Sequence, residues 1–170
     1  MKRILTLITA FTLVFTACEG PQGPPGFDGF DGQDGRDGIA IPPSFEIVVD
    51  FNAANNYEYV EAYGFDVSQT DITLVYILWD TLDDGTEIWR LMPQTVIFED
   101  GNDLVYNFDF TLFDVRFFLE GSDLDGLANV WTQDQVFRVV VIPANNVGRA
   151  DYSDINSVIE TYNIESFPRR

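Results

Sequence analysis

Histidine is missing from the 170 residues, lysine occurs once, at Lys2, and cysteine once, at Cys18. Each absence removes a class of chemistry. Without histidine there is no Ser-His-Asp triad and none of the usual zinc ligand sets. Lys2 lies in a leader, so a mature chain has no lysine for a Schiff base, a pyridoxal cofactor or a P-loop. One cysteine cannot form a thiol–disulfide redox pair. No G-x-G-x-x-G follows a strand pattern, so no dinucleotide fingerprint is present. Carboxylates remain as catalytic groups, as in glycosidases and aspartic proteases. No Asp-Ser-Gly or Asp-Thr-Gly occurs, and spacing alone does not single out a glycosidase pair. The composition therefore predicts a protein that is not an enzyme and carries no cofactor and no resident metal.

Positive charge is scarce as well. The formal net charge is −19, with 28 acids. Removal of residues 1–17 takes Lys2 and Arg3 away and leaves seven arginines, a net −21. A surface of that sign repels nucleic acid and anionic headgroups, which excludes both as partners.

The amino-terminal residues carry a location signal. Lys2 and Arg3 precede an apolar run from Ile4 to Phe15, followed by Thr16-Ala17-Cys18. The run is too short to span a bilayer and has the flanks of a secretory leader. Phe15-Thr16-Ala17-Cys18 resembles a bacterial lipobox, apart from Phe15 where an aliphatic residue is preferred. Residues 1–17 are thus predicted to be a lipoprotein signal peptide, with Cys18 carrying acyl chains such as palmitate and Glu19 as a spacer. The expected location is the cell envelope, lipid-anchored at the outer membrane and surface-exposed.

Glycine stands at every third position from Gly20 through Gly23, Gly26, Gly29, Gly32 and Gly35 to Gly38. Only glycine fits on the axis of a collagen triple helix, where three polyproline II chains pack together. A flexible linker would not keep the phase. Residues 20–40 are therefore read as a collagen-like stalk that makes the protein a homotrimer. At about 3.1 Å per residue it would reach roughly 65 Å. Asp28, Asp31, Asp34 and Asp37 fall at the third triplet position and read as a solvated, self-repelling face.

Residues 41–44 form a Pro-rich joint, after which composition shifts to aromatic and β-branched residues. Period-two alternation runs through Phe45–Phe51, Tyr57–Phe65, Leu104–Phe110, Phe113–Leu119 and Gln135–Ile142. Ile72–Trp79 is apolar on both faces apart from Thr73, the mark of a central strand covered on both sides. Shorter runs lie at Glu87–Leu91 and Val96–Phe98, with turns at Asp83-Asp84-Gly85 and Asp100-Gly101. This pattern predicts an antiparallel β-sandwich of immunoglobulin-like type over residues 45–148. Residues 149–170 are predicted as a short helix and tail. Ile155, Val158, Ile159 and Tyr162 fall at helical spacing there, with Asp151 or Ser153 as the cap.

Two further patterns touch on ligands. Asp123 and Asp125 resemble a calcium loop only faintly, because EF-hand register puts Gly121 and Thr132 at the key ligand positions. Tyr57, Tyr59 and Tyr63 are candidates for a flat surface on which a sugar stacks, with Trp79, Trp89 or Trp131 contributing; core packing is the competing reading.

Taken with Cys18-Glu19-Gly20-Pro21-Gln22-Gly23-Pro24-Pro25-Gly26 and the Asp-Gly triplets, the chain resembles small collagen-like lipoproteins of Gram-negative bacteria. Ile88–Pro93 and Trp131–Arg138 are similar to segments of that group. The resemblance implies no activity and no catalytic residues. The expected role is a surface lipoprotein presenting a β head for structure or adhesion; the rivals are a stalk-mounted carbohydrate-binding module and a carboxylate hydrolase.

Overall fold

The computed structural model describes residues 41–144 and 150–170. The leader, Cys18 and the seven in-phase glycines lie outside the described residues. The head is mainly β, with strands β1 (Ser44–Val49), β2 (Glu58–Ala62), β3 (Ile72–Thr81), β4 (Glu87–Leu91), β5 (Gln94–Ile97), β6 (Asp103–Phe110), β7 (Asp114–Gly121) and β8 (Gln135–Ile142). One α-helix, α1 (Ile155–Tyr162), follows.

The strands form two antiparallel four-stranded sheets, ordered β1-β8-β3-β4 (sheet one) and β2-β7-β6-β5 (sheet two). A shared core draws on both in a sandwich-like arrangement. Sheet one supplies Phe45, Ile47, Val75, Ile77, Phe137 and Val139; sheet two supplies Leu104, Tyr106, Val115, Phe117 and Leu119. These are alternate positions along each strand, because successive side chains point to opposite faces.

The outer faces differ, and the strand sequences show why. A second cluster on sheet one joins Leu74, Tyr76, Val140 and Ile142 to Ile155, Val158 and Tyr162 of α1 and to Ile164. The helix therefore roofs the far side of the central strands, which is why β3 is apolar on both faces. Sheet two carries no such roof among the described residues. Its outer face places Arg116 between Glu58 (3.2 Å) and Asp109, over the ring of Phe118.

Seven or eight strands are expected from the alternation and eight form, with altered limits. The second run is shorter than its alternation suggests, since Tyr57, Tyr63 and Phe65 fall outside β2. Phe113 is not in β7 either; it sits in the β6–β7 turn, 76 % exposed. That turn is closed by Thr111 and Asp114, whose backbone and side chains bond each other, so the strand starts only at Asp114. The helix cap is Asp154 rather than Asp151 or Ser153. Extended at φ −112°, Asp154 accepts the Asn156 N–H, while Asp151 closes the preceding turn by accepting from Ser153. The Asp100-Gly101 hairpin forms as expected, with Gly101 at φ 90°, a conformation that suits a residue without a Cβ.

The last residues close one edge. Glu46 donates its N–H to the Pro168 carbonyl, and Arg170 donates its N–H to the Glu46 carbonyl, so the tail lies alongside β1. The Arg170 guanidinium stacks on Phe45 and donates to the carbonyls of Ala62 (2.8 Å) and Tyr63 (2.6 Å). It thereby ties sheet one to the end of β2. Covering an edge strand in this way removes a template for unwanted pairing.

Candidate functional site around Trp131

Strand directions give the sandwich two ends. At the lower end β1, β3 and β7 begin and β2, β6 and β8 finish; at the upper end the reverse holds. One concave surface of the upper end is built around Trp131. This residue closes a 3₁₀ turn (Asn129–Trp131) that leads into β8. Its carbonyl accepts from the Tyr106 hydroxyl at 2.7 Å, and its ring meets Phe98 edge-on at 5.5 Å. Burial drives the Tyr106 pKa well above the usual tyrosine value, so that hydroxyl stays a donor.

The segment after Trp131 is pinned to the end of β1. Phe51 donates its N–H to the Thr132 carbonyl (2.7 Å), and Gln133 Nε2 donates to the Phe51 carbonyl (3.1 Å). Asp134 takes a left-handed conformation, φ 53°, and its N–H reaches Asp50 Oδ1 at 2.8 Å. Across from it, the β3–β4 register shifts between Leu78 and Asp80, so Trp79 sits in a bulge, and bulges re-aim side chains. The Trp79 ring meets Tyr106 edge-on at 6.4 Å and carries the Arg90 guanidinium 4.0 Å over it.

Two cavities of about 230 Å³ each share Trp131 as a wall. The first is lined by Ile77, Leu78, Trp79, Tyr106, Val130, Asp134, Gln135 and Val136. The second is lined by Phe98, Asp100, Asn102, Asp123, Gly126, Leu127 and Ala128. Gln135 Nε2 donates to the Val130 and Gln133 carbonyls, which turns its amide oxygen into the free acceptor. Asp100 is held by both nitrogens of Asn102, and Asp123 by the Gly126 N–H. The first cavity thus offers indole and phenol surface beside acceptors. That chemistry suits a ligand with an apolar face and hydroxyl donors.

Asp84 and Asp151 lie outside both cavities, and hydrogen bonds from Thr86 and Ser153 respectively hold their carboxyls below the usual value. Among the described residues no three acidic side chains gather closely enough to hold a metal ion, and no helix is long and apolar enough to cross a membrane.

The three tyrosines named from sequence are not brought together. Tyr57 and Tyr63 flank opposite ends of β2, six residues apart, or about 20 Å along an extended strand. Tyr63 is fully buried and bonds Thr73 Oγ1 at 2.9 Å. Tyr57, half-buried, donates to Asp125 Oδ1 at 2.6 Å, and Tyr59, 38 % exposed, reaches Glu61. Asp125, noted from its loop, is therefore a partner of Tyr57. Sequence reasoning named Trp79 and Trp131 but missed Asp134 and Gln135. Nothing local to those two residues signals that the chain folds back beside Trp79.

Compared with known proteins, the chain matches no family model, no curated protein and no solved structure.

Proposed function

We propose that this protein is a non-enzymatic, lipid-anchored surface lipoprotein whose collagen-like stalk gathers three copies and presents a β head for a structural or adhesive role. The observation that carries the proposal is the unbroken order of three sequence elements: a short leader ending at Cys18, seven in-phase Gly-X-Y triplets, and an aromatic β domain. The acyl chains on Cys18 would hold the chain at the outer membrane, and the triplets would act as a spacer and a trimerising element. The head supports this reading by its construction, with aromatic side chains from both sheets forming one core. An immunoglobulin-like type implies that the first, second, fourth and fifth strands share a sheet. Here β1 and β2 fall in different sheets, a departure from that order within two antiparallel sheets arranged like a sandwich.

Anchoring is tested in cells by labelled fatty acid and membrane fractionation. The wild type should incorporate label and sediment with membranes, and Cys18→Ser should do neither. A wild type that takes up no label removes the lipoprotein reading.

The second reading, a stalk-mounted carbohydrate-binding module, is favoured by the indole-walled cavities at Trp131 rather than by the tyrosines. Glycan-array binding that is lost in a folded Trp131→Ala variant would establish it.

A further inference from the structure

The lower end of the head carries an apolar surface that its fold does not use. Phe113 is 76 % exposed in the β6–β7 turn, Phe110 is about half exposed at the end of β6, and Ile41 is 60 % exposed just ahead of β1. The turn is held by Thr111 and Asp114 through bonds that do not call on the side chain at 113. Phe113 contributes only backbone to the fold, donating its N–H to Thr111 Oγ1 and accepting from the Tyr63 N–H. Beside it lies a concavity of about 540 Å³ lined by Gly64, Phe65, Asp66, Val67, Leu112 and Phe113. Two nearby carboxylates are engaged: Asp71 by the N–H groups of Ser68 and Ala144, Asp114 by Thr111. A large aromatic held outward by a well-bonded turn, beside a hollow with Phe65, Val67 and Leu112 in its wall, suits an interaction surface.

We propose that this lower end docks against a second copy of this chain, each head in the trimer setting Phe113 and its neighbours against the next. The occupant follows from chain length. Ser44, the first residue of β1, stands six residues after Gly38, the last glycine of the repeat. In a triple helix the three Gly38 residues meet at one axis, and six residues span at most about 20 Å. Three heads tethered that closely have their lower ends as mutual neighbours. Charge points the same way. Residues 41–170 carry 23 acids against six arginines, and contact through the lower ends keeps the acidic upper loops apart. The proposal rests on the trimeric-stalk reading and adds to it the surface through which the heads meet.

The test uses the mature chain bearing Cys18→Ser to free it from the membrane. Light scattering over a dilution series reads association, and low-temperature circular dichroism reads the collagen-type signal independently. Phe113→Asp should raise the concentration at which trimers dissociate by about tenfold or more, because a phenylalanine is lost from each contact. Head unfolding should not change. Leu112→Thr, on the wall of the same hollow, should give a smaller shift of the same sign. Trimers and a collagen signal that persist unchanged in Phe113→Asp overturn the docking surface and leave the stalk reading standing. A wild type that is monomeric and lacks the collagen signal overturns both. If Phe113→Asp instead abolishes binding to phosphatidylglycerol vesicles without altering association, the surface belongs to lipid and the proposal fails.

Discussion

The two ends of the head are built from the same eight strands and differ in what their loops carry. At the upper end the loops hold Asp83, Asp84, Glu99, Asp100, Asp123, Asp125 and Asp134, around the half-buried Trp79 and Trp131. At the lower end the loops hold fewer acids, Asp66 and Asp71 between β2 and β3, and Phe113 stands exposed in the β6–β7 turn beside Phe110 at the end of β6. Loop carboxylates at the upper end accept hydrogen bonds from their own backbones, as Asp84 does from Thr86 and Asp100 from Asn102. Those residues have a local reason to be there, since aspartate closes its own turns. The exposed phenylalanine at the lower end has none. An acidic end thus reads as turn chemistry plus solubility, whereas an apolar end that the fold leaves open asks for an external partner.

The largest expected effect tests whether aromatics near each end belong to core or surface. Tyr63→Ala should destabilise the head by about 3–5 kcal/mol, as truncation of a fully buried aromatic does. Tyr59→Ala should change it by about 0.5 kcal/mol or less. Thermal or denaturant unfolding of the pair reads the difference directly. Similar losses in both would mean that Tyr59 is core as well.

Next in size is the tie between the sheets. Arg170→Ala removes two charge-assisted bonds to carbonyls and a stacked guanidinium, and should lower stability by about 2–3 kcal/mol. Amide exchange at Glu46 should accelerate more than exchange in β7. Uniform acceleration would mean that the tail does not act on the β1 edge.

At the upper end, Trp131→Ala should cost about 2 kcal/mol, less than a core phenylalanine, because Trp131 is half-buried. It should also merge the two cavities, which would show as increased binding of a hydrophobic dye. No change in dye binding would mean that the loop collapses onto Trp79.

The smallest effect concerns pH. Burial and the Tyr152 hydroxyl push the Tyr162 pKa up to about 12, and burial raises Tyr76 and Tyr106 further. A raised folded-state pKa favours the protonated form in the native state. The associated stability is therefore complete below about pH 10, the unfolded value, and declines from there through about pH 12. Unfolding midpoints measured from pH 8 to 11 should be flat and then fall. Tyr162→Phe should make that fall shallower and leave its onset in place, because the unfolded tyrosines that remain set the onset.

Much of the fold was legible because its signals are local. Alternation in Phe45, Ile47 and Val49 marks one face of a strand, and a residue such as Gly101 marks a turn by its freedom at positive φ. The double-sided apolarity of Ile72–Trp79 foretold a central strand, and β8 and β4 do flank it. Where periodicity misled, it ran past a strand's end. Phe113 is in phase with Val115, Phe117 and Leu119, but the Thr111–Asp114 turn takes it out of the sheet. Tyr63 is likewise in phase with Tyr59, and its depth comes from Thr73 and Phe113 on other strands and turns.

By itself the sequence determined which chemistries are excluded, the period-three repeat with its single cysteine, and the positions of eight strands, since composition and alternation depend on residue identity and short spacing. Only the tertiary structure decided which strands share a sheet, that α1 roofs sheet one, that Trp131 divides two cavities, and that Phe113 faces outward. Those outcomes depend on residues far apart in the chain: Tyr106 reaching Trp131, Asp50 reaching Asp134, Arg170 reaching Tyr63. Such pairings are set by competition among whole faces for burial, and no local window of sequence contains that competition.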